Sequence, residues 1–242
     1  MKNVGPLIEG HNFKRGQQMA ARDMRGAIQG STSILETNKV LKNTYLLLSA
    51  TLAFSALMAS IAMTMRVGTG AYFMCLIASM VLGMFVLPRT ANSMSGLGVI
   101  FLVTGLLGFG TGPIVGLYLS LANGPQIVAT ALGGTAGIFL GLSAYAVSTK
   151  RDFSFMTGFV FAGVMAVMGL MIVNIFMGMP LLSLALSGAV ILLMSALILM
   201  QTGAIIRGAE TNYIMATYSL YLRFFNIFIH LLSILGMASG DD

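Results

Sequence analysis

Seven long apolar segments separated by short polar breaks dominate the sequence from residue 44 onward. Each is about 18–25 residues long, enough for an α-helix to cross roughly 30 Å of hydrocarbon. The breaks carry the Gly, Pro, Asn and Ser that are typical of turns. The pattern predicts an all-α membrane protein, a bundle of seven transmembrane helices. The segments run approximately over Thr44–Met65, Gly70–Leu87, Leu97–Leu121, Gln126–Val147, Phe153–Phe176, Leu181–Met200 and Tyr213–Leu235.

The first 43 residues have a different composition, with many Gly, Gln, Arg and Ser and few apolar residues in register. We interpret residues 1–43 as a flexible basic cytoplasmic tail and residues 44–242 as the transmembrane domain. Seven of the 13 Lys and Arg lie in this tail. Basic residues next to a membrane span attract anionic lipids, so the basic charge predicts a lipid partner and no nucleic acid.

The distribution of the remaining charge predicts the orientation of the chain. Only 8% of the residues are charged, against about 25% in soluble domains. With seven spans, four of the six Lys and Arg outside the tail fall in loops on the same side as the tail, Arg66 alone falls in an opposite loop, and Arg223 lies within the last span. Because basic loops stay in the cytoplasm, the N-terminus is predicted to be cytoplasmic and the C-terminus periplasmic.

The last apolar segment carries a stripe of polar residues within the predicted membrane span. The stripe consists of Ser219, Arg223, Asn226, His230 and Ser233. Their spacings of four, three, four and three residues place them on one face of a helix. A cation costs about 2.5–3.5 kcal/mol at the centre of a span, so the stripe is expected to face other helices or a cavity. Two interpretations stay open: contact between helices, with Arg223 reaching the headgroups, or a functional cavity.

Small residues recur every four positions in two of the middle segments. Such stripes let helix backbones approach each other closely within a membrane, so they are predicted to pack the bundle. The stripes are Gly108, Gly112 and Gly116 in the third segment and Gly133, Gly137 and Gly141 in the fourth.

The sequence offers little catalytic chemistry. No acidic residue lies inside a predicted span, and the chain contains no H-E-x-x-H motif and no P-loop. His11 and His230 form no metal-binding pattern, and Cys75 is the only cysteine. We therefore expect no enzymatic activity, no metal and no cofactor.

Several motifs in order resemble the Bax inhibitor (TMBIM) family over about residues 38–238. They are ETNYI at 210–214, SLYL at 219–222, NIF at 226–228, LLSILG at 231–236, SAYAVSTKRDFSFM at 143–156 and the earlier ALGGTAGIF. The resemblance is strongest to a bacterial branch of the family. It implies a seven-helix bundle whose last helix is central and ringed by the other six.

The resemblance implies two alternative activities. Some members leak calcium or protons through a pore closed by a pair of carboxylates, and those positions fall here at Gln201 and Arg223. The bacterial branch is similar to a modulator that binds and inhibits an FtsH-type AAA protease of the inner membrane. Without the carboxylate pair, the modulator is the preferred prediction and a calcium or proton leak channel is the alternative.

The preferred prediction assigns roles to two groups of residues. The cluster of Gln201, Arg223, Asn226 and His230 is expected to form a structural or gating core. The tail and the cytoplasmic loop residues are expected to contact the protease. These loop residues are Arg151, Asp152, Arg207 and Glu210.

Overall fold

A computed structural model describes residues 36–149 and 151–239, and in that part of the chain seven helices are long and apolar enough to cross a membrane. All seven predicted segments are confirmed. The helices are α1 (Glu36–Thr64), α2 (Gly70–Thr90), α3 (Met94–Leu119), α4 (Gly124–Thr149), α5 (Thr157–Met177), α6 (Pro180–Ile206) and α7 (Tyr213–Ala238). A 3₁₀ turn, Ser154–Met156, precedes α5, and α2 contains a π-helical turn, Leu82–Val86.

Helix α1 includes residues 36–43, which the sequence analysis assigned to the tail. Hydropathy identifies only the strongly apolar part of a helix. The first turns of α1 were missed because they are amphipathic. Lys39 and Lys42 are exposed, while Val40 and Leu41 pack against the central core. The predicted tail over residues 1–35 lies outside the described residues.

Helix α7 lies at the centre of the bundle. Every residue from Asn212 to Met237 is buried or half-buried. It contacts α6 and α4 extensively and α3 to a smaller extent, and it reaches α1 through side-chain hydrogen bonds. By contrast, α5 is peripheral: Ile175 is 78% exposed and Phe176 is 86% exposed. This arrangement confirms the predicted central last helix, but in the described residues α5 packs mainly against α6, so the predicted ring of six helices around α7 is not complete.

The main core surrounds α7 with aliphatic and aromatic side chains from four other helices. Leu220 and Ile227 of α7 are fully buried there. Phe139 of α4 makes an edge-on contact with Phe224 of α7, with ring centroids 5.8 Å apart. Helices α1, α3 and α6 complete this core through Leu48, Val103, Leu107, Ile198 and Ile205.

The glycine stripe of α3 packs against α1. A Cβ added to Gly108 would lie 2.2 Å from the Ser55 carbonyl oxygen, and one added to Gly112 would lie 2.6 Å from the Ala59 carbonyl oxygen. A Cβ at Gly116 would make only ordinary contact, 3.6 Å from Met63 Cγ. The closest approach of α1 and α3 therefore depends on the first two glycines of the stripe.

The glycine stripe of α4 does not pack the described bundle, contrary to the prediction. Gly133, Gly137 and Gly141 are exposed, and a Cβ at each would meet nothing within 4 Å. The face of α4 that is buried instead carries Ile127, Ala131, Thr135, Phe139 and Ser143. The spacing identified a small-residue face correctly, but spacing alone cannot say which face of a helix points inward.

Candidate functional site: the central helix and its loop

A hydrogen-bonded cluster joins α7 to α1 and α3 within the bundle. Tyr221 lies 2.6 Å from Ser55, measured between the two hydroxyl oxygens, and the Ser55 hydroxyl lies 3.0 Å from the Thr104 carbonyl oxygen. The Tyr221 hydroxyl also lies 3.3 Å from the Thr104 carbonyl oxygen, so one of the two hydroxyls donates to that carbonyl while the other donates to its hydroxyl neighbour. All three residues are buried. The sequence analysis missed this cluster because its members lie on three helices that are far apart in the chain.

The start of α7 is fixed by Asn212. Its side-chain oxygen accepts hydrogen bonds from the backbone N–H groups of Ile214 at 2.9 Å and Met215 at 3.0 Å, which caps the helix. Its side-chain nitrogen donates to the Ala91 carbonyl at 3.1 Å and to Asn92 Oδ1 at 2.7 Å. One side chain therefore caps α7 and ties it to the turn between α2 and α3.

The Glu210 carboxylate belongs to the same corner of the protein. Its Oε1 accepts a hydrogen bond from the Asn212 backbone N–H at 2.9 Å. The hydrogen bond between Glu210 and Asn212 thus fixes the loop conformation immediately before α7. Glu210 therefore stabilises the loop before α7. This role is separate from the predicted contact of Glu210 with the protease.

The predicted polar stripe on α7 is half-buried along its length, at Ser219, Arg223, Asn226, His230 and Ser233. Two of its members bond to their own helix: the Arg223 guanidinium donates to the Ser219 carbonyl, and the Asn226 amide donates to the Leu222 carbonyl at 2.7 Å. His230 reaches another helix, with Nδ1 3.2 Å from Ser187 Oγ of α6. The described contacts therefore include one bridge from the stripe to a neighbouring helix.

Gln201 and Arg223 do not face each other directly. Helices α6 and α7 are antiparallel neighbours, and the contact between His230 and Ser187 sets their register. That register places the backbone of Arg223 about 10 Å along the axis from that of Gln201. The Arg223 side chain turns back along its own helix to the Ser219 carbonyl, and no hydrogen bond joins it to Gln201 within the described chain. Among its protein neighbours, the buried Nε of Arg223 also has no hydrogen-bond partner.

Three of the four predicted loop residues lie in contact where the α4–α5 loop meets the α6–α7 loop. Arg207 forms an ion pair with Asp152, with Nη2 2.8 Å from Oδ1, and donates from Nη1 to the Arg151 carbonyl at 3.0 Å. The Ser154 N–H also donates to Asp152 Oδ1 at 2.9 Å. The hydrogen bonds from Ser154, with the Arg207 charge beside them, lower the pKa of the Asp152 carboxyl from its ordinary value. We call Arg151, Asp152 and Arg207 the loop cluster.

These contacts fix the position of α7 in the bundle and join the α4–α5 loop to the α6–α7 loop. Within residues 36–149 and 151–239, no group of three or more His, Cys, Asp or Glu residues is placed to hold a metal ion. The geometry defines a multi-pass membrane protein built around a central helix.

Comparison with known proteins identifies the family. The family described as "Inhibitor of apoptosis-promoting Bax1" matches residues 37–240. The chain belongs to this Bax inhibitor family.

Bacterial relatives resemble the chain over most of its length. The Escherichia coli K12 protein called "Modulator of FtsH protease YccA" is 47% identical over 210 residues, covering 87% of this chain and 95% of the relative. An uncharacterized membrane protein of Vibrio cholerae is 47% identical over 208 residues, covering 86% and 93%. The protein of another E. coli strain, called "Inner membrane protein YccA", has the same identity and coverage as the K12 protein.

Proposed function

We propose that this chain is a bacterial inner-membrane protein that binds an FtsH-type AAA protease and limits its degradation of membrane substrates. The observation that carries the proposal is the 47% identity to the E. coli modulator, which extends over 95% of that relative. The similarity spans all seven helices, so it includes the bundle and the loops that order it. We assign the chain no catalytic role.

The loop cluster is the proposed contact surface. Arg151, Asp152 and Arg207 are exposed, and the ion pair between the last two holds the α4–α5 and α6–α7 loops together. Exposed ion pairs contribute little to stability, because solvent and salt screen the two charges. The cluster can therefore be changed without loss of the bundle, and charged groups at such a surface can supply specificity towards a partner. The basic tail is proposed to hold the chain at anionic lipids.

The test uses the full-length chain and the membrane-anchored protease, extracted together in mild detergent. The unmodified chain is expected to co-purify with the protease, and its overproduction is expected to slow the turnover of a membrane substrate. Absence of both effects would overturn the proposed function.

A charge exchange separates a contact role of the loop cluster from a purely structural one. The double variant Asp152→Arg with Arg207→Asp can rebuild the ion pair with reversed charges. If the cluster touches the protease, this variant folds but co-purifies less well than the unmodified chain. Arg89→Asp, at the exposed end of α2 and outside the loop cluster, is the matched control and should leave co-purification unchanged. Full co-purification of the exchanged variant would remove the loop cluster from the proposed contact.

A further inference from the structure

A cavity of about 340 Å³ lies between α1, α3, α4 and α7. Its floor is an aromatic face of α7, formed by Tyr221, Phe225 and Phe228, whose spacing of four and three residues places them on one side of the helix. Val115 of α3 and Ala59 of α1 belong to its walls. Its volume lies within the range of ligand sites, about 300–1,000 Å³.

The cavity opens sideways between α1 and α4. Ala56 and Ser60 of α1 and Leu132 of α4 line it and are exposed at the protein surface. All three lie on membrane-spanning helices, Ala56 and Leu132 two turns from the nearer helix end and Ser60 one turn, so the opening faces hydrocarbon. The small side chains of Ala56 and Ser60 leave the mouth unobstructed. An occupant that enters from this side must be apolar and flexible.

One end of the cavity lies near the level of the α1–α2 loop, and that loop carries a cation. Its lining extends along α1 to Met63 and along α3 to Leu119, close to where these helices end at Thr64 and Leu119. Arg66 lies two residues after the end of α1 and is exposed. Arginine is well suited to bind phosphate because its planar guanidinium can donate two hydrogen bonds at once. The cavity therefore combines an apolar channel at membrane depth with a positive charge near the membrane surface.

We propose that this cavity binds one acyl chain of a membrane phospholipid whose phosphate lies at Arg66. The chain enters between α1 and α4 and packs against the aromatic face of α7. Filling the cavity restores the dispersion contacts that the lining side chains would otherwise lack. The lipid then contacts the central helix directly, beside the hydrogen bond between Tyr221 and Ser55. This proposal is independent of the proposed protease partner.

The absence of tryptophan from the sequence provides a direct probe. Phe228→Trp places a single fluorophore in the cavity, and Phe161→Trp places one on the lipid-facing surface, where Phe161 is 68% exposed. In vesicles of phosphatidylglycerol with brominated acyl chains, both tryptophans should be quenched. Fluorescence of the Phe228→Trp variant that is not quenched would overturn the proposal, whether water or a second copy of the chain filled the space.

Blocking the mouth provides the matched comparison. Ala56→Phe, combined with Phe228→Trp, should remove the quenching at position 228. Ala53→Phe should not, because Ala53 is exposed on α1 but does not line the cavity. Equal quenching in the two double variants would contradict entry between α1 and α4.

Native mass spectrometry tests the same proposal without an introduced tryptophan. The unmodified chain, purified from phosphatidylglycerol and phosphatidylcholine vesicles, should retain one phospholipid, and Ala56→Phe should lose it. Arg66→Gln should lower the preference for phosphatidylglycerol about fivefold, as expected for one basic group at a membrane surface. Arg89→Gln, at the end of α2, should leave the preference unchanged. An adduct with the mass of a free fatty acid, or an unchanged preference in Arg66→Gln, would overturn the assignment of the phosphate to Arg66.

Discussion

Tyr221 and Ser55, 166 positions apart in the chain, are joined by a buried hydrogen bond of 2.6 Å between their hydroxyl groups. The bond connects the central helix to α1, and Ser55 passes the connection to α3 through the Thr104 carbonyl. Three helices thus meet at one serine. The geometry also explains why α3 carries a glycine at this level, since a side chain at Gly108 would collide with the Ser55 backbone.

Removing the Tyr221 hydroxyl should weaken the bundle modestly. Tyr221→Phe removes the hydroxyl that bonds to Ser55 and also lies 3.3 Å from the Thr104 carbonyl oxygen, but it leaves Ser55 able to donate to that carbonyl, so no buried donor is orphaned. We expect the free energy of unfolding to fall by about 0.6–1 kcal/mol, as for other hydrogen bonds between membrane helices. Unfolding in mixed micelles with increasing dodecyl sulfate measures the change. If the losses in Tyr221→Phe and Ser55→Ala simply add in the double variant, the two hydroxyls are not coupled.

Adding a methyl group to α3 should have opposite consequences at two glycines of one stripe. Gly108→Ala would place Cβ against the Ser55 backbone, which cannot move aside as a side chain can. Overpacking of this kind costs about 1–3 kcal/mol. Gly116→Ala meets only Met63 at an ordinary distance and should be neutral or slightly stabilising, because alanine favours helices. The same unfolding assay compares them, and equal destabilisation by both would contradict the packing described.

The exposed glycines of α4 provide a third comparison. A Cβ at Gly137 meets nothing within 4 Å, so Gly137→Ala should raise stability by up to about 1 kcal/mol through helix propensity alone. A clear loss of stability in the isolated chain would show that this face packs against protein.

Acid should loosen the loop cluster. The folded-state pKa of Asp152 is lowered, so the contribution of its carboxylate is present above the pKa of the unfolded chain and is lost as the pH falls through the folded-state value. Hydrogen exchange at the Ser154 amide should therefore accelerate, beyond its intrinsic pH dependence, as the pH falls below about 4. Asp152→Asn should remove this extra acceleration. An identical profile in the variant would show that another group controls the loop.

Calcium should pass through the bundle only weakly. Arg223 places a cation on α7, and at 4 Å a second cationic charge is opposed by about 4 kcal/mol per unit charge at an effective dielectric of 20. Proteoliposomes containing the unmodified chain should show little calcium flux between about pH 6 and 8, where arginine keeps its charge. A robust calcium leak would contradict this and would require a path that avoids Arg223.

Rebuilding the carboxylate pair is a separate test. Gln201→Asp with Arg223→Asp restores two acidic groups, but their backbones are offset by about two helical turns. Two aspartate side chains are too short to span that offset. We therefore expect the double variant to gain at most a small leak that depends on pH. A strong leak gated by pH would mean that the two helices slide to bring the carboxylates together.

The sequence predicts the membrane helices well because hydrophobic length is a local property. It also identifies Arg207 and Asp152 as loop residues, since charges are excluded from the spans. It does not predict which face of α4 is buried, and it gives no sign that Ser55 and Tyr221 meet. Both depend on how helices that are distant in the chain are rotated against each other. The polar stripe on α7 is a further example. The sequence spacing predicts that its residues share one face, but it does not predict that Arg223 and Asn226 bond to carbonyls of their own helix.

The position of α7 has a consequence for biogenesis. Ribosomes deliver this helix after the other six, although α1, α3, α4 and α6 pack around it. Until it inserts, Ser55 lacks its Tyr221 partner, Phe139 lacks its contact with Phe224, and the tie between Asn212 and the α2–α3 turn is missing. Before α7 inserts, the six earlier helices lie in the membrane without these contacts to it. A chain truncated before residue 213 would remain in that state, so a cell could recognise incomplete synthesis by the open centre alone.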